Sequence, residues 1–187
     1  MLSGKIDTLC SAALSFNVAF VTVFVPSIVK SETIGNTKQS NKKILLFIAI
    51  SLAIGIPITI IMSVFPNKIL EILFPNASSG AEYLRFSSLS IIFMLLSQTI
   101  NSILHALGKV GIPPLSAIIG VIFKFFCNIL LISNRNFGIY GAIIGNIICN
   151  IVSFIISGVV LIRALYNQNR KNAKKESKRF NLIFELL

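Results

Sequence analysis

The stretch IPPLSAIIGVIFKFFCNILLI, residues 112–132, carries one charge, Lys124, in twenty-one positions. A transmembrane helix needs about 20 mostly apolar residues. This run therefore predicts a helix that crosses a bilayer. Four other blocks read the same way: Leu9–Val29, Ile44–Phe65, Leu84–Leu107 and Gly138–Leu161. The expected fold is all-α, a polytopic transmembrane helix bundle of about five spans.

The composition agrees. Hydrophobic residues make up 55% of the 187 residues and charged residues 12%, with a mean hydropathy of +0.86. A soluble domain is roughly 45–50% apolar and 25% charged. The net charge of +11 suggests nucleic acid until the charges are placed. Seven of the 17 basic residues lie between Arg163 and Arg179, and Lys30, Lys38, Lys42 and Lys43 lie between the first two blocks. Positive charge beside membrane spans marks the cytoplasmic side. No nucleic-acid partner is expected.

That bias sets a topology. The loop Lys30–Lys43, the turn with Lys109 and the basic tail are expected inside. Pro66–Tyr83, where Lys68 is set against Glu71 and Glu82, is expected outside, as is Ser133–Phe137. Within the outer loop, Asn67–Phe74 is too short to span and fits a helix lying in the outer interface. Met1 then falls outside. The first block has no basic leader or small-residue cleavage site, so the chain is expected to be internal to a longer protein or a truncated frame. The expected division is a transmembrane bundle over 1–165, a basic cytoplasmic loop over 166–179, and the start of a truncated further span over 180–187. Pro26 is expected to end or bend the first span, and Gly55-Ile56-Pro57 permits a kink in the second.

Polar residues recur on single helix faces. Ser87, Ser90, Ser97, Gln98, Asn101 and His105 form one stripe in the third span; Ser116, Gly120, Lys124 and Asn128 form one in the fourth. The fifth has Asn146, Asn150, Ser153 and Ser157, beside Gly138, Gly141, Gly145 and Cys149. Gly141-x-x-x-Gly145 is a small-residue motif that lets helix backbones approach closely. Lys124 sits near mid-span, where a charge costs about 2.5–3.5 kcal/mol on insertion scales. Two readings fit it: a cationic contact in a wet cavity, or a snorkelling lysine with a packing role. Gln98, Asn101 and Asn128 are candidate cavity residues, or else interhelical hydrogen-bond partners. His105 is the single histidine.

Cys10, Cys127 and Cys149 lie inside apolar blocks and make no disulfide framework. The spans contain no acidic pair, metal-ligand cluster, nucleophile with a base, or glycine-rich phosphate loop. No enzyme activity, cofactor or metal is expected.

Several phrases in order resemble the polysaccharide-flippase branch of the multidrug/oligosaccharidyl-lipid/polysaccharide exporter superfamily, near the stage V sporulation protein B group. They are VPSIVKSE at Val25–Glu32, ILEILFP at Ile69–Pro75, LGKVGIP at Leu107–Pro113, NILLI at Asn128–Ile132 and GIYGAIIG at Gly138–Gly145. The resemblance implies two lobes around a central cavity, this chain matching most of the second lobe of a multidrug-exporter or lipid II flippase-like fold. It implies alternating access in the bacterial cytoplasmic membrane. The cargo would be the head group of a polyprenyl-pyrophosphate-linked saccharide for cell envelope or spore cortex. Membrane lipid and an N-terminal lobe of the same protein are the implied partners. Related lipid II flippases carry an Asp-Arg pair near the start of the span that matches the first one here. This chain has Lys5 and Asp7, and only a cationic role passes to Lys5. A drug/cation antiporter of the same fold, and a non-transporting fragment or membrane assembly partner, stand as alternatives.

Overall fold

The computed structural model describes the backbone of residues 2–73, 81–132 and 138–185, and the side chains of 15, 17–72, 81–131 and 141–170. All regular structure there is helical: α1 (Leu2–Thr33), α2 (Thr37–Val64), α3 (Pro66–Leu73), α4 (Ala81–Ala106), α5 (Ile112–Ile132) and α6 (Gly138–Glu185). Among the described residues four helices are long and apolar enough to cross a membrane: α2, α4, α5 and the 141–170 part of α6. The first apolar block lies on α1, itself 32 residues long.

The two turns expected inside share one chemistry. α1 closes at Gly35 and α4 at Gly108, with φ of 75° and 74°. In each, the glycine N–H returns to the carbonyl three residues back, Gly35 to Glu32 at 2.9 Å and Gly108 to His105 at 3.0 Å. The next N–H reaches five back, Asn36 to Ser31 at 3.0 Å and Lys109 to Leu104 at 2.9 Å. This pairing satisfies the last carbonyls of a helix and needs a left-handed residue, which glycine adopts without strain. Asn36 then caps α2, its side-chain oxygen accepting from the Gln39 N–H at 3.1 Å. The loop Lys30–Lys43 is therefore mostly helix ends, with only residues 34–36 between them.

Pro26 does not end α1, which runs through it to Thr33. The ring is exposed at the bundle surface, and a membrane helix tolerates the lost bond there. α2 likewise runs through Pro57 to Val64.

α4 is the hub. It packs on α1, α2, α3, α5 and α6, while α5 leans almost wholly on α6. Half of the apolar stretch of α4 is buried, against 11% of that of α5. At one end Leu84, Ile91 and Leu95 of α4 meet Leu70 of α3. At the other, Ile100, Ile103 and Leu104 meet Ile28, Ile44, Phe47 and Leu161. Phe47 is fully buried and stacks on Phe24, centroids 4.9 Å apart. Lipid tails are as apolar as leucine, so these contacts hold the bundle by close packing rather than by exclusion of water. The outward face of α5 (Leu115, Ile118, Val121, Phe125, Ile129 and Leu130) is exposed, as a surface solvated by hydrocarbon allows.

The expected interfacial segment forms α3, which docks through Leu70. Phe74 and the loop 75–80 lie outside the described residues. α6 has 48 residues, about 72 Å at 1.5 Å per residue, against a hydrocarbon core of about 30 Å. The basic segment 166–179 lies on the continuation of this helix.

Candidate functional site

Two polar nodes flank α4, one on each side. On the first side Asn17 of α1 is 3% exposed and lodged between helices. Its amide donates to Thr99 Oγ1 at 3.1 Å, Gln98 Oε1 at 3.2 Å and the Leu95 carbonyl at 3.4 Å. Ser51 of α2 reaches the Asn17 amide oxygen at 3.4 Å and Thr99 Oγ1 at 2.8 Å. Thr99 also bonds the Leu95 carbonyl one turn back, at 2.9 Å. Three helices thus meet at one asparagine. In hydrocarbon no water substitutes for a missing partner, which makes such a node a register pin.

On the second side Ser157 of α6 donates to Asn101 Oδ1 of α4 at 2.7 Å and lies 2.9 Å from Ser116 Oγ of α5. Ser153, one turn earlier, bonds the Ser116 carbonyl at 3.2 Å. Ser116 in turn bonds the Pro113 carbonyl at 2.9 Å. Gln98 and Asn101, adjacent in the sequence stripe, thus serve different seams: Gln98 joins α1, and Asn101 joins α5 and α6.

Below this node the stripe of α5 lies against α6. A Cβ at Gly120 would stand 2.5 Å from Ser153 Oγ and 3.0 Å from the Cys149 carbonyl. Gly145 lies against Asn128 and the Lys124 stem: a Cβ there would overlap Asn128 Oδ1 and stand 3.6 Å from Lys124 Cγ. Gly141 is buried. Gly120, read from sequence only as part of a polar stripe, is the position where a Cβ would meet the backbone of α6, at the Cys149 carbonyl. Its position four residues from Ser116 and Lys124 was the available signal.

Lys124 is half-buried in this crossing, with no hydrogen-bond or ion-pair partner among the described residues. Asn128 Oδ1 is buried there, also without a partner. The pair offers a cation and an unused acceptor one turn apart on α5. Cys127 and Cys149 are free thiols nearby. The side chains of Lys5 and Cys10 lie outside the described residues, and His105 is exposed at the end of α4. No cluster of metal-ligating side chains occurs among the described residues.

A third set of contacts ties helix ends. Lys43 of α2 donates to Ser31 Oγ at 2.7 Å and the Ser27 carbonyl at 3.0 Å, both on α1. Gln168 of α6 donates to Glu32 of α1, and Asn41 of α2 to Asn169 of α6 at 3.0 Å. The extension of α6 is thereby fastened to the α1–α2 turn. Sequence reading placed these lysines beside the membrane but did not reveal that Lys43 braces α1.

The family model for lipid II flippase MurJ matches residues 12–186. An uncharacterized membrane protein of Methanocaldococcus jannaschii is 37% identical over 95 residues, covering 50% of this chain. The aligned segment is 18% of that relative's length. No solved structure matches. With four apolar helices of spanning length among the described residues, the chain is a multi-pass membrane protein.

Proposed function

Because this chain belongs to the MurJ lipid II flippase family, we propose that it is the second-lobe part of a membrane flippase for lipid-linked saccharide precursors. It works by alternating access, this lobe rocking against a first lobe of the same protein. The observation that carries the reading is the family match across 12–186, over a bundle with a single central helix. Alternating access needs each lobe to move as a unit. The nodes at Asn17 and at Asn101 tie α1, α2, α5 and α6 to α4, which supports movement of the five as one body.

The proposed cargo is a polyprenyl-pyrophosphate-linked oligosaccharide or polysaccharide precursor of the cell envelope or spore cortex. Lys124 and Lys5 are the proposed cationic contacts for its pyrophosphate, with Asn128 beside Lys124 as a hydrogen-bonding neighbour. A half-buried lysine near mid-span, with no ion-pair partner among the described residues, is costly unless it meets water or an anion. That cost is the reason to assign Lys124 a ligand. Gln98, held at the α1 seam, and Asn101, held at the α5–α6 seam, are proposed to contribute polar groups to the path from opposite sides of α4.

The test is complementation in cells depleted of their own lipid II flippase, using the chain in its full-length context with protein abundance measured in parallel. Lys124→Ala is expected to accumulate but lose most transport, and Lys124→Arg to keep part of it. Full activity of Lys124→Leu at normal abundance would sink the pyrophosphate role and leave Lys124 as a snorkelling residue.

A further inference from the structure

At one end of the bundle, away from Lys124, α6 passes the α1–α2 turn. Leu161 of α6 is buried in the cluster that contains Ile28 and Ile44, and Leu165 packs against the same cluster. Tyr166, the next residue, is exposed. Beyond Leu165 the described contacts of α6 are polar. Gln168 donates to Glu32 Oε2 of α1, and Asn41 of α2 donates to Asn169 Oδ1 at 3.0 Å. Elsewhere α2 and α6 touch little, and α1 and α6 hardly at all.

This joint makes two bonds and leaves three oxygens behind. Glu32 Oε1, Asn41 Oδ1 and Ser40 Oγ are buried with no partner among the described residues. Glu32 and Asn41 engage consecutive residues of α6. Ser40 adjoins Asn41, lies one turn before Ile44 on the buried stripe of α2, and is fully buried. Each oxygen is hydrated when the joint is open to water and loses that hydration when α6 closes over it. A buried polar group without a partner costs at least as much as a hydrogen bond returns, and more at a carboxyl group such as Glu32. Two bonds set against three desolvated oxygens make a contact near balance. Charge works the same way. The turn carries Lys38, Lys42 and Lys43, and α6 continues through Arg170, Lys171, Lys174 and Lys175, so closing the joint brings like charges together.

We propose that this joint is a latch with two populated states. In the closed state Gln168 and Asn169 hold the α1–α2 turn through Glu32 and Asn41. In the open state α6 beyond Leu165 swings away from the turn, Gln168 and Asn169 bond water, and the three oxygens are hydrated. The bundle keeps its packing in both states, because the nodes at Asn17 and Asn101 and the core around Phe47 lie outside the joint. The latch thus sets where the basic continuation of α6 stands relative to the lysines of the turn. It does not depend on what the protein transports.

The test measures a distance across the joint. In the full chain freed of Cys10, Cys127 and Cys149, Ile34→Cys and Tyr166→Cys carry nitroxide labels; both positions are exposed, one on each side of the joint. Continuous-wave and pulsed electron paramagnetic resonance read the label separation in nanodiscs of phosphatidylethanolamine and phosphatidylglycerol. Two resolved distances are expected, a short one for the closed latch and a long one for the open. Ser40→Ala removes one unpartnered hydroxyl from the closed state and is expected to move the ratio about tenfold toward the short distance. Gln168→Ala combined with Asn169→Ala is expected to leave the long distance alone. A single short distance with the joint unaltered overturns the proposal, whether or not any variant folds, and so does a single long one. A ratio that Ser40→Ala leaves unchanged or moves toward the long distance overturns it as well, because the closed joint then already satisfies its oxygens with water. So does a short distance that survives loss of both α6 side chains.

Discussion

Ser157 of α6 donates a 2.7 Å hydrogen bond to Asn101 of α4, fifty-six residues away in the chain. The same hydroxyl lies 2.9 Å from Ser116 of α5. One small side chain therefore joins three helices. Interhelical hydrogen bonds measured by double-mutant cycles in one membrane protein average about 0.6 kcal/mol, with a maximum of about 1.7. In a double-mutant cycle, Asn101→Ala and Ser157→Ala are expected to couple by about 0.6–1.7 kcal/mol. The cycle is read from reversible unfolding in mixed micelles. Strict additivity would mean that the bond contributes nothing to the seam.

The Asn17 node predicts a larger single loss. Replacing one partner leaves the others buried and unpaired, at a cost of about 1–3 kcal/mol. Asn17→Leu leaves Gln98 Oε1 without its Asn17 donor and reduces Ser51 and Thr99 to the bonds they make without Asn17. Adding Ser51→Ala and Thr99→Val removes the two hydroxyls that lose their asparagine partner, and part of the stability is expected to return. Thermal melts followed by helical circular dichroism decide it. A triple variant less stable than Asn17→Leu alone would show that the three side chains do not form one network.

Glycines in this bundle differ in what they tolerate. A Cβ at Gly120 meets Ser153 Oγ at 2.5 Å and the Cys149 backbone carbonyl at 3.0 Å, and the backbone cannot swing aside. Overpacking of this kind costs about 1–3 kcal/mol. A Cβ at Gly158 meets only Ile100 Cδ1 at 4.0 Å, ordinary contact. Gly120→Ala is expected to lower the yield of folded protein clearly, Gly158→Ala hardly at all, and Gly145→Leu far more than Ile147→Leu. Size-exclusion recovery after detergent extraction measures all four. Equal recovery of Gly120→Ala and Gly158→Ala would remove close backbone approach from the account of the α5–α6 seam.

Sidedness is open to a chemical check. The lysine bias places the α1–α2 turn inside and the segment before α4 outside. In a chain freed of Cys10, Cys127 and Cys149, cysteines are introduced singly by Thr37→Cys and Ser78→Cys. An impermeant thiol reagent applied to intact cells is expected to label position 78 and spare position 37. Labelling of position 37 from outside reverses the whole assignment.

Helices were legible in the sequence because hydrocarbon imposes a length. A span needs about 20 apolar residues, and α5 begins and ends where the block Ile112–Ile132 does. Gly35 and Gly108 stand at the turns because a helix end needs a left-handed residue there. Periodicity also placed Ser116, Gly120, Lys124 and Asn128 on one face. It gave no indication of what that face meets. Polarity alone does not distinguish a wet cavity from a hydrogen-bonded helix seam, since both need the same residue types at the same spacing. Only the packing of α5 on α6 set Gly120 against Ser153 and Gly145 against Asn128. Only the central place of α4 made neighbours such as Gln98 and Asn101 serve opposite seams. The sequence by itself determined that the chain enters a bilayer, where α5 starts and stops, and where Gly35 and Gly108 close their helices, because those depend on local transfer and capping energies. Which polar groups pair across the bundle, and which cations have no partner among the described residues, depended on contacts between residues far apart in the chain, and the tertiary structure alone decided them.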